Sequence, residues 1–150
     1  MGDLTEHFSK YEFKCPCSEC KHRKIHIDLN LVYRLEAIRD LIGNKPINIT
    51  SGVRCKAENS RSGGDSNSPH LLGKAADIQV VGVKPIEIAT TSDLSELDIR
   101  VGVYPNHVHI DVLPPNPSRF WLVKKYGQTP IYSGYETDLE KFLRKEGINI

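Results

Sequence analysis

No stretch of this chain approaches the roughly 18 consecutive apolar residues that a membrane-crossing helix requires, so no insertion into a bilayer is expected. Net charge is nearly absent: 20 Lys and Arg stand against 19 Asp and Glu. Without a broad basic surface, nucleic acid is not the expected partner. The N-terminal residues Met1-Gly-Asp-Leu-Thr-Glu-His-Phe8 contain neither a basic nor an apolar leader segment. A signal peptide is therefore not expected, and the product should start in the cytoplasm. Internal repeats, low-complexity tracts and linkers are also missing. A chain of 150 residues is long enough to bury a core unaided, so residues 1–150 are expected to form a single domain. Cysteine is sparse, and three of the four residues, Cys15, Cys17 and Cys20, crowd together, with Cys55 apart. A reducing compartment argues against a disulfide framework and leaves two readings, a metal site or buried thiols. With Cys55, His22 or His26 the cluster could close a second, structural zinc site, although the spacing of its first pair is shorter than in common zinc knuckles. The basic residues around 21–24 read as a solvated loop.

Phe8, Tyr11 and Phe13 suggest an anchored, amphipathic lead-in over residues 1–14. Leu31, Leu35, Ile38 and Ile42 recur at helical spacing, Asp28 is a plausible cap, and Gly43-Asn44 with Pro46 supplies a stop. A helix is therefore predicted over about 28–42. Ile47–Thr50 alternates as a strand, and Ser51–Ser68, rich in Gly, Ser and Asn, reads as a long irregular loop. A second strand is predicted over Ala76–Val81, then a weak helix from Pro85 to about Leu97. Residues 99–104 and 107–113 form a predicted antiparallel hairpin across Pro105-Asn106, and Phe120-Trp121 should pack back on the core. A short charged helix is predicted over Thr137–Glu146.

The chemistry concentrates in Ser68-Pro-His70-Leu-Leu-Gly73-Lys-Ala75-Ala-Asp77 and in His107-Val-His109-Ile-Asp111. Alternation puts His107, His109 and Asp111 on one strand face and Val108, Ile110 and Val112 on the other. Gly73 and Ala75 let the backbone turn and approach closely between His70 and Asp77. Two imidazoles and a carboxylate, His70, His109 and Asp77, make a three-ligand zinc set that leaves one position open, as hydrolytic zinc requires. Ser68 reads as a structural hydrogen-bond donor, since no Ser/His/Asp arrangement accompanies it.

These motifs resemble peptidase family M15, the zinc D-Ala-D-Ala carboxypeptidases and related peptidoglycan endopeptidases. The resemblance rests on Cys15-Pro-Cys17, Ile49-Thr-Ser-Gly-Val-Arg54-Cys55, residues 68–77 and Val108-His109-Ile-Asp111 in that order, and spans about residues 6–121, leaving residues 122–150 as an extension. It implies an α+β fold, a small antiparallel sheet with packed helices of the Hedgehog/DD-peptidase kind, with the zinc in a groove on the sheet's open face. It also implies His70, Asp77 and His109 as ligands to one catalytic Zn²⁺, and Arg54 as the group that stabilises the oxyanion or positions substrate. The alternative for Arg54 is to tie down the 51–68 loop through a carboxylate. Many relatives place an acid where this chain has Asn106, whereas others place a histidine at the position of His107. His107 could act as base, stabilise the transition state or bind metal; Asp111 could orient His109 or serve as base. The implied substrate is a peptidoglycan stem peptide, cut by a carboxypeptidase or an endopeptidase. Short relatives without a leader are often bacteriophage lysis or virion proteins, delivered by a holin or an injection machine. The rivals are a catalytically inactive, Hedgehog-like zinc-containing binding module and, from the cysteines alone, a thiol-zinc nucleic-acid-binding domain.

Overall fold

In the computed structural model, residues 2–20, 26–91 and 94–150 are described. His22 and the basic run at 21–24 lie outside them. The lead-in, with a 3-10 turn at Lys10–Phe13, precedes helix α1 (Leu29–Leu41) and strand β1 (Ile47–Ser51). Helix α2 (Lys56–Arg61), a 3-10 turn at Pro69–Leu72 and strand β2 (Ala75–Val80) follow. Next come α3 (Pro85–Ala89), β3 (Arg100–Val103), β4 (Val108–Asp111), β5 (Phe120–Leu122), β6 (Ile131–Tyr132) and α4 (Leu139–Lys145).

Helix α1 starts where expected because the Asp28 carboxylate accepts the Asn30 N–H at 2.8 Å. It buries Leu31, Val32, Leu35 and Ile38, each contributing about 1.5–3 kcal/mol on leaving water. The left-handed Gly43 and Asn44 then turn the chain away. Phe8 and Phe13 anchor the lead-in as expected, but Tyr11 is 74% exposed. It sits on the outward side of a 3-10 turn whose inward residue is Phe13.

The strands form one sheet in the order β1-β2-β4-β3-β5-β6. All pairs are antiparallel except β3–β5, so the sheet is mixed and not wholly antiparallel. The proline-rich connection after β4 carries the chain past β3 and lays β5 along its free edge, in the same direction. Two further expectations are corrected. The 51–68 segment is not all loop, since it holds α2, whose only buried residue is Asn59. The helix from Pro85 stops at Ala89, and a separate 3-10 turn covers Leu94–Leu97.

Alternation gives the sheet two faces. Ala76, Ile78, Val80, Val101, Val103, Val108, Ile110, Phe120 and Leu122 join one apolar cluster with residues of α1, α3 and α4. The opposite face carries a row across the strands, in which Ser51 pairs with Asp77, Asp77 with His109, His109 with Gly102, Gly102 with Trp121, and Trp121 with Tyr132.

Candidate metal centre

His70 is set by backbone before it meets any partner side chain. The 3-10 turn that carries it is capped by Ser68, whose hydroxyl accepts the His70 N–H at 3.3 Å. Ser68 is thus structural, as an acceptor where a donor was expected. Gly73 closes the turn at φ 68°, and a Cβ there would strike the His26 carbonyl. The ring Nδ1 lies 2.7 Å from the Gly52 carbonyl oxygen and donates to it, and the Arg54 N–H donates to the His70 carbonyl at 3.0 Å. Nε2 is left as a lone-pair donor pointing at Asp77, 3.3 Å from Oδ1. Burial lowers the His70 pKa, so the ring is neutral and suited to ligation.

His109 is held from the other side. Its Nε2 donates to Asp111 Oδ2 at 2.7 Å, and its Nδ1 lies 3.1 Å from Asp77 Oδ1. Asp111 is fully buried. Arg100 grips it with two donors, at 2.7 and 2.8 Å, and the Leu113 N–H adds a third at 3.1 Å. Both oxygens are committed, which makes Asp111 the group that orients His109 and leaves it no free face for proton transfer. Burial works against a charged His109, but its hydrogen bonds to the Asp111 and Asp77 carboxylates override it and push the pKa up to about 9. Burial likewise opposes ionisation of Asp77, yet its bonds to His109 and His70 hold the carboxyl far below its ordinary range.

The nitrogens of His70 and His109 and the oxygen of Asp77 all lie within 4.8 Å of one another. Each imidazole spends its outer nitrogen on a fixed acceptor and turns the inner one toward the same carboxylate oxygen, the outer-sphere support that metal-binding histidines use. Two inward lone pairs and an anionic oxygen repel unless a cation lies among them. The donor set therefore fits a small divalent cation of borderline softness, zinc first.

Around this group the structure places the other residues singled out in the sequence. Arg54 bonds Ser51 Oγ through Nε at 2.9 Å and Asp77 Oδ2 through a terminal nitrogen at 3.0 Å, so the tie through a carboxylate is present and the carboxylate is Asp77 itself. His107 lies on the open flank, with Nε2 3.8 Å from Asp77 Oδ1 and Nδ1 2.8 Å from the Tyr126 hydroxyl. It stacks on Tyr104 with centroids 4.2 Å apart. Burial lowers its pKa, which keeps it unprotonated at neutral pH. Asn106 is exposed at the turn, where its carbonyl accepts the Gln79 side-chain amide.

The sequence reading missed Arg100 and Tyr126 and gave Trp121 only a core role. Trp121 instead lies on the site face, 5.0 Å from the His109 ring, with its indole N–H donating to the Tyr104 hydroxyl at 3.0 Å. Gly102 makes room for it, since a Cβ there would penetrate the indole. Arg100 alternates with Gly102 and Tyr104 toward that face, a signal available in the sequence. Tyr126 carries no such signal.

Fold and site together define a group of two imidazoles and a carboxylate that could hold one metal ion, on the face of the sheet opposite the helices. Comparison with known proteins agrees. The Peptidase M15 family model matches residues 6–111, and the chain belongs to that family. It is also 45% identical over 97 residues to a zinc D-Ala-D-Ala carboxypeptidase of Streptomyces albus G. The aligned part is 64% of this chain and 38% of that protein, so the chain matches well under half of its relative's length.

Proposed function

We propose that this chain is a zinc-dependent peptidase of cell-wall stem peptides, acting at D-alanine residues. One observation carries the reading: His70 Nε2, Asp77 Oδ1 and His109 Nδ1 converge while His107 borders the open side. The family and the carboxypeptidase relative support the reaction class. His70, Asp77 and His109 would hold the metal, and zinc, when bound, supplies a Lewis acid and acidifies a water. The remaining work belongs to the side chains. His107 Nε2 takes a proton from the attacking water and returns it to the leaving amine, with the Tyr126 hydroxyl fixing Nδ1. Arg54 holds Asp77 in place, and the hydrogens left over on its terminal nitrogens are offered to a substrate oxygen. Tyr104 and Trp121 wall the site against bulk water.

The placement of three donors on one face of a sheet backed by helices supports a Hedgehog/DD-peptidase-like fold. The sharing of one apolar cluster by the lead-in and α4 supports a single domain over 1–150.

Digestion of purified peptidoglycan and of a stem peptide ending in D-Ala-D-Ala, followed by mass analysis, tests the function. Loss of a terminal alanine marks a carboxypeptidase, and cleavage of cross-links marks an endopeptidase. Either should vanish on chelation, return with zinc, and be absent in His109→Ala. Folded, zinc-loaded protein that cuts neither substrate would refute the proposal and favour a binding module.

A further inference from the structure

All four cysteines of the chain meet in one cluster, a group separate from His70, Asp77 and His109. Cys15, Cys17 and Cys20 are buried and pack with the half-buried Cys55. The Sγ atoms of Cys15, Cys20 and Cys55 all lie within 4.8 Å of one another, and Cys17 is buried in the same cluster. No disulfide links them. A tetrahedral zinc with bonds of about 2.3 Å to sulfur sets its ligands about 3.8 Å apart, the spacing this cluster approaches.

The backbone treats these sulfurs as acceptors. The Cys55 N–H points at Cys15 Sγ and the Glu58 N–H at Cys55 Sγ, both at 3.4 Å. The Cys20 N–H bonds the Cys17 carbonyl at 3.1 Å, closing a tight Cys-x-x-Cys turn. Backbone donors aimed at two of the sulfurs suit thiolate ligands.

We infer that Cys15, Cys17, Cys20 and Cys55 hold a second, structural zinc ion as a tetrathiolate. The ion staples the lead-in to the start of α2. Because Cys55 follows Arg54, it also fixes the backbone from which Arg54 reaches Asp77. The inference uses no residue of the hydrolytic centre and does not rest on its activity.

Two measurements on the full chain, prepared under reducing conditions, decide it. In the His70→Ala/His109→Ala variant, elemental analysis should find about one zinc per chain. Adding Cys20→Ser and Cys55→Ser should remove it. Cobalt substitution of the unaltered protein guards against misfolding of the variants and should give a thiolate-to-cobalt charge-transfer band with tetrahedral ligand-field bands. A cobalt spectrum lacking the thiolate band, a histidine variant that folds but binds no zinc, or disulfides found by mass in the reduced preparation would each overturn the inference.

Discussion

His107 and Asp111 sit two residues apart on one strand face and are given opposite work by their neighbours. His107 keeps an unprotonated nitrogen on the open flank, while Asp111 is buried behind His109 with every oxygen engaged. Replacing His107 by Ala should lower kcat/KM on a stem peptide by about 10²–10⁴-fold, the usual worth of a positioned acid–base group, with zinc content unchanged. Asp111→Asn should instead weaken zinc binding about 10–100-fold, measured by competition with a chromophoric chelator, because His109 loses the acceptor that fixes its ring. The convergence of His70, Asp77 and His109 was legible from spacing and alternation taken together with the family resemblance. Arg100 carried an alternation signal, but its hold on Asp111 comes from strand pairing, and Tyr126, in a loop far along the chain, carried none.

Helix α1 shows how an element can be tied at its middle from outside. Glu36, on its surface, accepts from Thr5 Oγ1, the His7 N–H and His7 Nδ1 at 2.7, 2.8 and 2.7 Å, locking the lead-in to the helix. Burial raises its pKa, but these hydrogen bonds outweigh that and hold it below the ordinary 4.5. A lowered folded pKa means stability that is present above the unfolded value and lost as pH falls through the folded one. Urea midpoints measured from pH 7 down to about pH 3 should therefore fall more steeply for the natural chain than for Glu36→Gln, which starts lower and has less to lose. In the core of the same helix, Leu35→Ala should cost about 2–5 kcal/mol by urea unfolding. Helix α1 was visible in the sequence because its apolar stripe is continuous and its cap well formed. Helix α2 was not, since six residues that bury only Asn59 leave no stripe to read. The helix expected to run from Pro85 ends early at Thr90 and Thr91, whose hydroxyls bond the Ile86 and Glu87 carbonyls and finish the turn.

At the level of the whole molecule, one sheet separates two solvents. Helices cover its apolar face, and water reaches the other through a row of polar and aromatic side chains. Strand pairing of the 99–113 hairpin followed from its pattern, but the parallel placement of β5 did not, because the sequence does not say which edge a chain leaving a proline-rich connection will join. The family match ends at residue 111, before β5 begins. A chain cut after residue 111 keeps every proposed zinc ligand, yet it should be insoluble or lose its cooperative melting transition in calorimetry, since Phe120, Leu122, Phe142 and Leu143 leave the apolar cluster. The late arrival of β5 also orders events during synthesis. A nascent chain displays all three proposed metal donors once His109 has emerged, but β3 still offers a bare edge and His107 has no hydroxyl to lean on. Only when residues 120–126 leave the ribosome can the far wall close, so capture of the ion can precede assembly of the groups that would make use of it.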